Sequence, residues 1–93
     1  MTRLVAQETD LYTLKKIQSL VDLEKTILKK KIDNVQNKIT HFENRYGQRD
    51  REALYGQVDD MELIEWEGEL ETISRLNKKM TCLDQIVFEV ETL

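Results

Sequence analysis

Between Leu11 and Tyr46 the chain carries no glycine or proline, and Leu28, Ile32, Val35, Ile39, Phe42 and Tyr46 follow one another at spacings of 4, 3, 4, 3 and 4. That repeat keeps one stripe of a helix apolar, as a coiled-coil seam does. Traced backwards, the seam runs through Val21, Leu14 and Leu11, with Lys25 and Gln18 as polar interruptions. Ile17, Leu20, Leu23 and Ile27 lie off it, so the first half of the helix is apolar over a wider arc and is expected to meet more than one neighbour. Two readings are open for that arc, ordinary bundle core, which is favoured, or a dedicated partner groove.

Punctuation sets the ends of the elements. Thr9 or Asp10 can cap the first helix, although Arg3 to Glu8 is compatible with another turn or two, and Gly47 stands where a left-handed C-cap residue is usual. The helix then covers about residues 10–46, a rod of roughly 55 Å. Asp50 to Tyr55 reads as a short helix over 50–55 closed by Gly56, and Asp59 or Asp60 caps the next helix, with Glu62 placed for a capping box from Asp59. From there Leu63, Trp66, Leu70, Ile73, Leu76, Met80 and Leu83 recur at helical spacing, which predicts a second long helix over 60–84 or beyond. Gly68 inside it costs ~1 kcal/mol against alanine. Either a bulky neighbour comes close there or the cost is tolerated.

The tail, residues 86–93, is rich in β-branched side chains and alternates Phe88, Val90 and Thr92 against Glu89 and Glu91. Helix and strand compete; helix is favoured because Leu83, Val87 and Val90 continue the stripe, whereas a strand would suit the edge of a partner's sheet. The fold expected is therefore all-α: a single domain over 1–93 forming an antiparallel, coiled-coil-like helical hairpin, paired into a dimeric bundle. The loop brings the end of the first helix beside the start of the second, so Trp66 is expected to be buried near Ile39, Phe42 and Tyr46.

With 93 residues a lone copy buries a low fraction of its unfolded surface, which strengthens the expectation of a partner or a second copy. Apolar runs stay far below the ~20 residues that span a bilayer, and the start lacks a signal-peptide core, so the cytoplasm is the default location and no membrane role is expected. Charge is divided. Residues 1–46 hold nine Lys/Arg against six Asp/Glu, and residues 59–93 hold three against ten. Opposite charge favours antiparallel pairing of the rods, and it also suits the second helix to docking on a basic protein.

Chemistry has few carriers. His41 is the single histidine, Cys82 the single cysteine, and no serine sits in a glycine-rich turn, so no nucleophile and base come together and an enzyme is not expected. Asp59, Asp60, Glu62 and Glu65 complement a helix N-terminus rather than form a metal set, and no cofactor is implied. Lys29, Lys30 and Lys31 point in different directions around a helix, which argues against nucleic-acid binding by this chain alone.

From His41 to Met80 the order is Phe42, Tyr46-Gly47, a short helix, Gly56, Asp59-Asp60, then Glu65-Trp66-Glu67 opening a leucine-bearing helix. This order resembles small helical antitoxin-like proteins of bacterial and archaeal toxin–antitoxin pairs, and departs from them at Gly68 and in the β-rich tail. The resemblance implies a non-enzymatic inhibitor that occludes a small basic ribonuclease-like toxin. The acidic helix would carry that contact through Asp60, Glu62, Glu65, Trp66, Glu67, Glu69 and Glu71. The alternative is a structural or adaptor coiled-coil subunit that self-assembles as a homo-oligomer through Ile17, Leu20, Leu23 and Ile27, with no toxin.

Overall fold

The computed structural model describes residues 1–47, 54, 56 and 59–92. In chain order they form strand β1 (Thr2–Gln7), a 3-10 turn (Glu8–Asp10), helix α1 (Leu11–Tyr46), helix α2 (Asp60–Asp84) and strand β2 (Ile86–Glu91). The fold is thus mostly helical, as the seams require, but it is not all-α. Of the short helix expected over residues 50–55, Leu54 is described, helical and buried; the rest lies outside the described residues. Two compact units are found: residues 1–30 with 78–93, and residues 31–77.

In the unit of residues 31–77, the second half of α1 and the first part of α2 run antiparallel. Arg45 pairs with Glu62 at 2.8 Å and Lys38 with Glu69 at 3.5 Å, so residue numbers fall along one helix as they rise along the other. Phe42, Leu54, Leu63 and Trp66 form the core, with Tyr46 and Leu70 against it, and Leu63 is wholly excluded from solvent. Trp66 stacks on Phe42 at 5.9 Å and on Tyr46 at 6.1 Å between ring centroids, which accounts for its burial. Both helix ends close as their caps dictate. Gly47 has φ +74° and donates its N–H to the Glu43 carbonyl at 2.7 Å, while Asp59 accepts the Met61 N–H on its side chain at 2.9 Å. Glu62 turns to Arg45 rather than completing a capping box.

In the unit of residues 1–30 and 78–93, Leu14 and Leu28 are buried on α1. Lys25, the polar interruption of the seam, is half-buried and reaches Asp84 of α2 at 3.4 Å. Here the helix favoured for the tail is corrected: β2 takes the strand alternative, paired with this chain's own β1 rather than a partner's sheet. At the other end β1 occupies residues left open as further turns of α1. The pairing is parallel, with Thr2 opposite Ile86, Leu4 opposite Phe88 and Ala6 opposite Val90. A parallel pair needs a crossover of a dozen residues or more, which the two helices supply.

The physical reason is register. Leu4 and Ala6 alternate with exposed Arg3, Val5 and Gln7, so β1 turns one half-buried face toward Ile86 and Phe88. The Thr2 N–H donates to the Gln85 carbonyl at 3.0 Å as α2 ends. On the exposed face the Arg3 guanidinium forks onto Glu89, with Nε donating at 3.0 Å and Nη2 closing the second bond. That hydrogen bonding holds the Glu89 carboxyl below its ordinary range and raises the Arg3 pKa.

Candidate interaction surfaces

Helical spacing places Leu20, Leu23 and Ile27 side by side on α1, turned away from Leu14 and Leu28, with Ile17 at the margin. The four are 40%, 56%, 55% and 40% exposed in the order Ile17, Leu20, Leu23, Ile27. They are therefore not core of this chain. Tyr12 is also exposed, and with Lys15, Lys16 and Ser19 it lines a surface cavity of about 300 Å³. Ile17 has a second neighbourhood: with Leu4, Val5, Thr13 and Leu14 it lines a cavity of about 570 Å³ where β1 passes the start of α1. The off-seam arc thus joins an apolar helix face to an apolar notch beside the sheet.

The seven positions expected to meet a basic partner separate in the structure. Trp66 is 3% exposed and belongs to the core. Glu62 and Glu69 are partly buried and hold Arg45 and Lys38 across the helix pair, so their charge is spent within the chain. Asp60, Glu65, Glu67 and Glu71 stay on the surface; Asp60 accepts the Gly56 N–H at 3.5 Å, and Glu71 lies 4.0 Å from Arg75 one turn on. Sequence reasoning missed the apolar residues among them. Met61 and Ile64 are 71% and 56% exposed on the outer side of α2, opposite Leu63 and Trp66, and the backbone of Gly68 is bare one turn further along. Their spacing of three was a detectable signal, masked by the stronger Leu63–Trp66–Leu70 stripe.

Chemically reactive groups are sparse. His41 is exposed, edge-on to Phe42 at 5.9 Å, and lines a cavity of about 280 Å³ with Asn37, Lys38, Phe42 and Glu65. Cys82 is exposed on α2. Among the described residues no three His, Cys, Asp or Glu side chains are placed to hold a metal ion, and no helix is long and apolar enough to cross a membrane. What the described surface offers is apolar helix faces with charged margins, an arrangement suited to protein contacts. No family model, curated protein or solved structure matches the chain.

Proposed function

We propose that the chain is a non-enzymatic protein-binding module, a coiled-coil subunit that assembles with further copies of itself through the outward apolar face of α1. The observation that carries this reading is the exposure of Ile17, Leu20, Leu23 and Ile27 on one helix. Fully burying a Leu or Ile is worth ~1.5–3 kcal/mol, so covering the exposed half of four such residues contributes roughly 3–6 kcal/mol per copy. Association itself costs ~4–15 kcal/mol, so this apolar face alone does not make a tight assembly, and the test is run at high protein concentration. The test is sedimentation velocity or light scattering on the wild type beside Leu20→Glu/Leu23→Glu. Oligomers for the first and monomers for the second are expected. A monodisperse wild-type monomer overturns the reading.

A second reading has its own support in the exposed carboxylates Asp60, Glu65, Glu67 and Glu71: an antitoxin-like role in which α2 occludes a basic ribonuclease-like protein. Glu69 serves Lys38, so the fair variant reverses Glu65, Glu67 and Glu71 to lysine and leaves Glu62 and Glu69 in place. Inhibition of a small basic ribonuclease that survives this reversal would sink the second reading.

A further inference from the structure

The two exposed apolar faces carry opposite charge, and this determines how copies can meet. On α1, Lys16, Leu20, Leu23, Ile27 and Lys30 follow at spacings of 4, 3, 4 and 3, a second heptad stripe with a lysine at each end. Lys16 and Lys30 are both exposed. On α2, the exposed pair Met61 and Ile64 is margined by exposed Glu65, Glu67 and Glu71, and residues 59–71 contain seven carboxylates and no lysine or arginine. Arg45, Lys38 and Arg75 each face one of the seven, at Glu62, Glu69 and Glu71, and exposed Asp60 and Glu65 beside Met61 and Ile64 keep that outer side acidic.

A symmetric contact of the α1 face with itself is electrostatically poor. Laid antiparallel about Leu23, two copies set Lys16 opposite Lys30 at both ends; laid parallel, each lysine meets its own counterpart. Like charges juxtaposed at an interface select against that pairing. Around Met61 and Ile64 the α2 face meets the same objection against itself, since the exposed charges next to them, Asp60 and Glu65, are carboxylates; Arg75 comes only one turn beyond Glu71. Between the two faces the sign is favourable. Gly68 adds room: a Cβ built there meets nothing within 4 Å, and the bare backbone lets a second helix come close beside Ile64.

We infer that the partner of the acidic Met61–Ile64 face is the basic Leu20–Leu23–Ile27 face of a second copy, so that assembly is head-to-tail. This rests on the self-assembly reading above and specifies its geometry. A contact of two different surfaces leaves one of each exposed at the ends of a chain of subunits, which then closes into a ring or continues.

Mixing two face variants tests it. Leu20→Glu/Leu23→Glu keeps the α2 face, and Met61→Lys/Ile64→Lys keeps the α1 face; all four positions are exposed, and circular dichroism checks that each variant keeps its helix content. Each variant alone is expected to be monomeric at a concentration where the wild type assembles, and the mixture is expected to form a one-to-one pair. Salt supplies a second, independent sign. Raising it from about 0.1 M, where the screening length is ~10 Å, to about 1 M, where it is ~3 Å, is expected to weaken wild-type assembly several-fold. An α1-to-α1 contact would instead tighten as lysine repulsion is screened. If Met61→Lys/Ile64→Lys assembles as the wild type does, or the mixture gives no pair, or salt strengthens assembly, the head-to-tail inference fails while self-assembly stands. A monomeric wild type removes both.

Discussion

Replacing Trp66 by alanine tests the central claim about the unit of residues 31–77. The indole is 3% exposed and packs among Phe42, Leu54 and Leu63, stacked on two rings at centroid distances of 5.9 and 6.1 Å. Large-to-small truncation of a buried tryptophan costs ~3–5 kcal/mol, a figure that already contains the ~0.5–1.5 kcal/mol carried by each aromatic pair. A chain of 93 residues has a total stability of roughly 5–14 kcal/mol at ~0.05–0.15 kcal/mol per residue. The loss is therefore a large part of the whole, and this unit should be at the edge of unfolding at room temperature. The assay is urea denaturation followed by far-ultraviolet circular dichroism at fixed protein concentration, because assembly shifts apparent stability by mass action. Trp66→Phe, which keeps a ring against Phe42, is expected to cost less than half as much. A shift of the midpoint equivalent to under ~1 kcal/mol for the alanine variant, at unchanged slope, would refute the placement of Trp66 at the centre of the core.

Two further predictions follow from the backbone and from the strand pair. Gly68→Ala should raise stability by ~1 kcal/mol in the same denaturation assay, since the position is mid-helical and the added methyl meets nothing within 4 Å; a loss of stability would show that a neighbour crowds it. Glu89 is held below its ordinary carboxylate range by Arg3, so its contribution to the β1–β2 pair is present above the unfolded value near 4.5 and is lost as pH falls through the lower folded value. Amide shifts of the two strands followed by NMR should therefore change in mild acid for the wild type and change less for Glu89→Gln; identical acid profiles would remove Arg3 from the account.

The helical part of this fold was legible because its signals are local. A seam at spacings of 4 and 3, Gly47 after it and Asp59 before the next stripe each act within a turn or two of their own position, and the structure keeps all three. The interruption at Lys25 became intelligible only with Asp84 beside it, 59 residues on in the chain. The strands failed the same test of locality. Residues 86–91 showed their β-branched alternation, but the six residues of β1 have only Leu4 and Ala6 as an inward pair, and neither segment shows that the other is its mate. Pairing across more than 80 residues is decided by the closure of the helices between them, which is a property of the whole chain.

The surfaces divide along the same line. Which carboxylates of α2 face outward follows from helical angle, but which are consumed within the chain depends on Lys38 and Arg45 arriving opposite Glu69 and Glu62. The charge asymmetry between the helices therefore serves two ends at once: part of it locks α1 to α2, and the remainder is displayed. On α1 the logic runs the other way. Bundle core is the favoured reading of its off-seam leucines and isoleucines from the sequence, but β1 passes beside Leu14 while Leu20 and Leu23 stay more than half exposed. With Leu20 and Leu23 left in water, the described residues have not exhausted the apolar surface the sequence encodes, and in the proposed assembly the displayed lysines and carboxylates select the surface that covers it.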